Sequence, residues 1–528
     1  MGEGENRGKP KVKKSLSFLI MLVLVLSTVL SGCAGGTSNE TSANLSSDTQ
    51  TEPVYGGELV YGMTQDLVSL DPHQSTDAGT RSVVFNLYEG LVKPAPTGDL
   101  IPAVAEEFSI SDDAKVYTFT LRNGITFHDG SLVTVQDIVY SIKRYAEIQG
   151  ESSAFSIALS SVEATDDKTV VVTLKEPDSE FLSQMTLAII PEANADPEGN
   201  PIGTGPFRYV SYDVGDKLVV EKYDGYWKEG APYLDKVTFR FLPDVTTAVT
   251  LLKAGSIDVL NYMTAAQVSE LTKAQADAFR IVEGNMHLVH AMFLNNAYGP
   301  LSDVRVRQAI CYAVNRDEIN QFLFGGKSTI IGTHMIPDLK TWYNEETASV
   351  YSYDPDKAKE LLREAGYENG FDLVITVPSA YDQHIDTAQI IADQLSKVGI
   401  NATLEKIEWN SWLQDVYRGR NYQATVIGFD GKLNPSDWLA KYGTGADKNI
   451  ANYSNAEYDE LLAKALAAVK TEEKADLYHQ MEMNLAENAA SVYIEDPADF
   501  VAMNANFDGY VFYPTAAYDV STIYQVKK

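Results

Sequence analysis

From residue 354 to residue 430, apolar positions at helical spacing alternate with short β-branched runs, the most regular pattern in the chain. Asp354 or Pro355 opens a helix with Ala358, Leu361, Leu362 and Ala365 inward, ended by Gly366. Phe371–Val377 reads as a strand. Asp386–Val398 follows as a helix with Ile390, Ile391 and Leu395 inward, ended by Gly399. Ile400–Ile407 is a strand, Trp409–Arg418 a helix and Tyr422–Phe429 a strand. Strands alternating with helices of this length predict a parallel sheet with right-handed crossovers. Ligands on such sheets bind at the carboxyl ends of the strands, where Phe429 and Asp430 stand. Elsewhere Tyr117–Phe127 alternates toward strands, and Asp137–Tyr145 reads as a helix with Ile138, Ile142 and Tyr145 on one face. Val237–Phe241 reads as a strand, and Thr246–Ala254 as a helix closed by Gly255. No internal repeat is evident.

The amino terminus has a different pattern. Arg7, Lys9, Lys11, Lys13 and Lys14 precede an apolar run, Leu16 to Leu30, which ends in the small-residue box Leu30-Ser31-Gly32-Cys33. Basic start, apolar run and small-residue box make an export signal. The run is shorter than the ~20 residues of a membrane span. The cysteine after the box makes residues 1–32 resemble a bacterial lipoprotein signal peptide, which implies a lipidated Cys33 as first mature residue. An uncleaved anchor and an ordinary secreted form are the alternatives. Residues 34–53 are almost all small and polar and cannot bury enough apolar surface to order themselves. Residues 33–53 therefore read as lipidated cysteine plus tether, reaching about 25 Å as a flexible coil. Stable anchoring takes a second acyl chain.

Composition narrows the function. The rest of the chain is long enough for two or three domains. The formal net charge of −31 argues against nucleic acid and against lying flat on an anionic membrane. It mildly favours cationic or zwitterionic ligands, although an acidic extracytoplasmic surface with no ligand meaning accounts for it better. There are two cysteines. With Cys33 lipidated, Cys311 has no partner, and its place in the helical run Val304–Val314 makes it a buried thiol.

Catalytic constellations are absent. None of the seven histidines belongs to an HExxH pair. His287 and His290 lie in a strand-like run, where a spacing of three points them to opposite faces. Gly325-Gly326-Lys327-Ser328 imitates a phosphate loop, but Gln321 stands where that loop needs glycine. There is no G-x-S-x-G elbow. The expectation is a protein that is no enzyme and holds no cofactor or metal.

Several ordered motifs resemble the bacterial extracellular solute-binding proteins of family 5. They are Ser69-Leu70-Asp71-Pro72-His73; the stretch Ala103–Arg144 with Leu121-Arg122-Asn123-Gly124, Phe127-His128-Asp129-Gly130 and Asp137-Ile138-Val139; Gly203-Thr204-Gly205-Pro206-Phe207; Tyr226-Trp227; Gly255-Ser256-Ile257-Asp258; Leu294-Asn295; and Asp303–Ile310. Most of these read as fold-holding residues. Asn123-Gly124 and Asp129-Gly130 are turn dipeptides. Gly203–Phe207 is a tight backbone crossing. Asp303 is a helix N-cap and Arg307 a surface charge. The resemblance implies an α/β, periplasmic-binding-protein-like fold of two lobes joined by hinge crossovers, with an extra inserted domain. Its expected parts are 54–90, 206–290 and 500–528 in lobe I, 91–205 as the inserted domain II, and 291–499 as lobe III. It also implies an extracytoplasmic, lipid-anchored monomer. Such a protein captures a peptide between its lobes and passes it to the permease and ATPase subunits of an ABC importer, with no nucleic-acid partner.

Peptide binders of this family hold the ligand amine with an aspartate three residues after an aromatic and shortly before an acidic- or Asn-Pro pair. Here Phe429 matches the aromatic, Lys432 occupies the third position and Asp430 directly follows Phe429. Either Asp430 substitutes, as a buried carboxylate facing a ligand ammonium, or the solute is not an ordinary peptide. Trp409 matches a pocket tryptophan through Glu408-Trp409, with Trp412 in the core behind it. His384 matches a pocket position, and Tyr381 and Trp438 are further aromatic candidates. The same aromatics could stack on sugar rings, so a carbohydrate or other non-peptide receptor is the alternative. An exported hydrolase using paired acids is a third class, separable by turnover assays.

Overall fold

The computed structural model describes residues 52–75, 77–430 and 432–527. The export signal and Cys33 lie outside them. Of the tether, Pro53 is described, and with Val54 it pairs as a strand with Tyr524–Val526, so the body begins slightly earlier than expected. Among the described residues, no helix is long and apolar enough to cross a membrane.

Two large mixed sheets carry two lobes. The first lobe has seven strands in the order Phe279–Asn285, Ala498–Asn504, Val259–Leu260, Glu58–Met63, Lys236–Phe241, Lys217–Lys222 and Phe207–Asp213. The second has six, in the order Thr329–Ile330, Ser491–Asp496, Leu288–Leu294, Ala424–Asp430, Phe371–Pro378 and Ile400–Ile407. In it the three strands read from the sequence run parallel to one another. Leu288–Leu294 joins them antiparallel, so the sheet is not all-parallel as expected. Side chains alternate between its faces. Met292, Leu294, Ile375, Val426 and Ile494 pack under the helices Val304–Ala313, Pro355–Glu364 and Asp382–Ser396. Val289, Ala291, Phe293 and Ile427 pack against Trp412, Trp438, Tyr458 and Tyr478 on the other side. A four-stranded antiparallel sheet, Ala105–Ile110, Val116–Leu121, Thr169–Leu174 and Leu159–Ala164, forms a third body under the helix Val135–Gln149.

The chain passes between the large sheets at Met286-His287 and at Pro497, and the two crossings touch through the Met286 N–H, which donates to the Pro497 carbonyl (2.8 Å). The expected boundaries at residues 290 and 499 lie just beyond these crossings. The small body is pinned to the first lobe by the family motifs. Arg144 forks onto Asp71 (3.0 and 2.5 Å). His128 Nδ1 accepts the Gly203 N–H (3.2 Å), which leaves the proton on Nε2 to donate to Gly205 O (3.0 Å). A Cβ on Gly203 would overlap the Leu87 carbonyl, so glycine is required at this crossing. Toward the second lobe the small body offers Glu180, which accepts from Ser436 N (3.2 Å), Tyr478 Oη (2.6 Å) and Lys474 Nζ (3.0 Å).

Two local readings need correction. Arg307 is not a surface charge. It is buried one turn before Ile310 and Cys311 and donates to the carbonyls of Leu301 (2.9 Å), Ser302 (3.2 Å), Asn488 (2.9 Å) and Ala489 (3.1 Å). Asp303 does cap the helix, accepting the Arg305 N–H. The Trp409–Arg418 helix is α for Trp409–Ser411 and then a π-turn over Trp412–Arg418. Cys311 is buried and free, and burial pushes its thiol up to about 12.

Candidate functional site

The parallel strands end at one edge of the second lobe, and three predicted residues sit there. Tyr381 follows Phe371–Pro378, Trp409 follows Ile400–Ile407, and Asp430 ends Ala424–Asp430. Their aromatics continue as a row. Tyr381 meets Trp409 edge-on (5.3 Å), and Trp409 stacks on Trp412 (5.3 Å, 5°). Trp412 stacks on Tyr417 (6.0 Å), and Tyr417 meets Phe429 (5.8 Å). In a regular α-helix a residue five places on would face away; the wider π-turn brings Tyr417 back beneath Trp412. The row grades from exposed Tyr381 through half-buried Trp409 to buried Trp412, whose Nε1 donates to Thr425 Oγ1 (3.0 Å).

His384 is buried behind Tyr381 (ring centroids 5.5 Å apart) and shares a hydrogen bond with His290 Nε2 (3.2 Å). His290 Nδ1 stands 3.5 Å from Glu495, which is fully buried next to the Pro497 crossing. Burial pulls both imidazoles down to about 3 and pushes the Glu495 carboxyl up to about 8, so this trio is uncharged at neutral pH. His287 does not share the strand with His290. It precedes it in a left-handed conformation (φ 54°) and pairs with Asp338 (3.0 Å). Because the folded pKa of Glu495 lies above its unfolded value, its contribution to stability is whole below pH ~4.5 and is lost as pH rises through about 8. Glu495→Gln should flatten the fall in urea midpoint across that window; an unchanged pH slope would mean that Glu495 ionises freely.

Trp438 lies in the core, 5.6 Å from His334, and its Nε1 donates to Lys432 O (2.8 Å), steadying the loop after Asp430. That loop faces the first lobe across two cavities. One, of about 420 Å³, is lined by His73, Arg81, Glu89, Lys93, Asp519 and Leu433. The other, of about 200 Å³, is lined by Arg81, Tyr262, His287, Asp430, Asp499 and Tyr518. Asp430 is exposed on this wall rather than buried, because it is the last residue of its strand. Tyr381, Trp409 and Phe429 line neither cavity.

Sequence reasoning missed the first lobe's wall. Asp499 accepts the Tyr262 N–H (3.1 Å), and burial raises its carboxyl to about 6. Its neighbours Tyr262, Tyr510 and Tyr518 come from distant segments. The aromatic density of Tyr510–Tyr518 was the available signal.

Residues 99–449 match the family model of the bacterial extracellular solute-binding proteins, family 5. The chain belongs to this family, whose members bind solutes for ABC importers and are not enzymes. It is 27% identical over 540 residues to the oligopeptide-binding protein AppA of Bacillus subtilis, covering 96% of this chain and 97% of the relative. The ABC transporter substrate-binding protein CtaP of Listeria monocytogenes superposes with a TM-score of 0.80 at 26% identity, over 90% of this chain and 100% of that one. AgaA of A. tumefaciens R10, solved with agropinic acid, is 30% identical with a TM-score of 0.68, over 89% of this chain and 99% of that one.

Proposed function

We propose that the protein captures a peptide between its two lobes and hands it to the permease and ATPase of an ABC importer. The observation that carries this reading is the inter-lobe cleft, where the exposed carboxylate of Asp430 stands on one wall and Tyr262, Asp499 and Tyr518 on the other. The adjacent crossings at Met286-His287 and Pro497 serve as the hinge, and closure on a solute is a ligand-driven population shift. Peptide recognition is supported by the oligopeptide-binding relative. Anchoring through a lipidated Cys33 follows from the signal box. Mass spectrometry of the mature amino terminus tests it, and an unmodified terminus would overturn it.

Asp430 is assigned to the solute's ammonium, whose pairing becomes strong once closure excludes water. Asp430→Asn is expected to weaken binding of a free tripeptide by about 3–5 kcal/mol, the cost of breaking a buried pair. N-acetylation of the peptide should cost a similar amount, and the two losses should not add. Calorimetry on the four combinations decides. Fully additive losses, or acetylated and free peptides binding alike, would make the second reading the better one. That reading is a non-peptide solute, favoured by Lys432 in the third position after the aromatic, where an aspartate is expected, and by the relative solved with agropinic acid.

A further inference from the structure

The far end of the aromatic row carries a lysine that no carboxylate holds. Lys441 follows the short helix Pro435–Leu439 and is half-buried, with Nζ 5.4 Å from the centre of the Phe429 ring and 5.7 Å from that of Trp438. Among the described residues it makes no ion pair or hydrogen bond. Lys93 and Lys474, whose side chains are also shielded from water, each hold a carboxylate, Glu89 and Glu180.

The surroundings explain what such a group is suited to. Asp437, four residues before it, attracts its charge most, Lys432 and Lys448 repel it, and Asp430 attracts it less. The buried His334 beside it stays neutral. Burial dominates, and the ammonium is pushed down to about 8. Among the described residues no carboxylate stands within ion-pair distance of this half-desolvated cation. It stands over the ring of Phe429, whose backbone leads directly into Asp430 on the cleft wall. The same edge therefore presents a carboxylate and an unpaired ammonium.

We propose that Lys441, with Lys432 beside it, receives an anionic group of the solute at the carboxyl edge of the second sheet. With Asp430 this makes a site for a zwitterion; without an ammonium on the solute it is a site for an acid. The inference deepens the solute-receptor reading above and rests on its placing the solute at this edge, but it does not require a peptide.

The test uses two probes on the full chain. Lysine ¹³Cε resonances are followed by NMR against pH in the free protein, with acetate, and with trialanine. Calorimetry compares trialanine with its carboxy-terminal amide. Acetate, which carries the anion and nothing else of a peptide, should raise the Lys441 titration from near 8, as should trialanine. The amide should bind about tenfold to a hundredfold more weakly than the acid. That difference should shrink as pH rises through 8 and vanish in Lys441→Met, while Lys441→Arg keeps it and loses the pH dependence. If trialanine does not bind but acetate raises the Lys441 titration, the peptide reading falls and the anion site stands. If acid and amide bind alike and neither acid moves the Lys441 titration, Lys441 is a packing residue and the proposal is overturned.

Discussion

Trp412→Ala is expected to cost about 3–5 kcal/mol of stability and to remove solute binding with it. Trp412 is buried at 1% exposure, and it is the one ring that touches both the half-buried Trp409 and Tyr417. Its removal opens a cavity under the aromatic edge, orphans Thr425 Oγ1 as an acceptor and leaves Trp409 without a floor. Trp412→Phe keeps much of the stack and loses only the Nε1 bond, so it should cost about 1–2 kcal/mol. Urea unfolding followed by calorimetry on the folded fraction separates the two effects. If the alanine variant binds solute as wild type does, the aromatic row is core alone.

Arg307→Met is expected to destabilise by a similar 3–5 kcal/mol, far from any solute. Four backbone carbonyls from two separate segments converge on its guanidinium, and the bonds to Leu301 and Ala489 are fully buried. The apolar replacement removes one side of each bond and leaves the buried acceptors unpaired, the costly half of the asymmetry. Arg307→Lys should not rescue the loss, since three donors on a point charge cannot reproduce a planar fork. Thermal melts of both variants decide; a lysine variant melting like wild type would mean that charge, not geometry, is what the site needs.

These two residues mark where the sequence was legible and where it was not. The strands and helices between Asp354 and Asp430 could be read because their signals are local: helices close on Gly366 and Gly399, Phe371–Pro378 and Ala424–Asp430 are apolar runs, and Ile400–Ile407 alternates buried and exposed positions as an edge strand. The aromatic edge was legible for the same reason, since Tyr381, Trp409 and Phe429 are placed by three consecutive strand ends. Arg307 was misread because its partners at Leu301 and Ala489 lie in different parts of the chain, and only burial shows that a charge on that helix faces inward. The π-turn has no propensity signal. Asp499 and Arg81 were missed because the first lobe's wall is assembled from segments near residues 80, 262, 499 and 515 that no periodicity connects.

The strand order of the first lobe has a consequence for how the chain is made. Ala498–Asn504 sits inside the seven-stranded sheet, between Phe279–Asn285 and Val259–Leu260. The second lobe, by contrast, is one continuous stretch of chain between the crossings. During synthesis the second lobe's strands all emerge before the first lobe can fill the gap in its own sheet. Until Ala498–Asn504 arrives, the edges of Phe279–Asn285 and Val259–Leu260 stay unpaired, a ready template for wrong partners. The long-range closure that seats the last strand is also the slowest kind of contact to form. The nascent chain therefore cannot finish its first lobe until its carboxy-terminal segment is made.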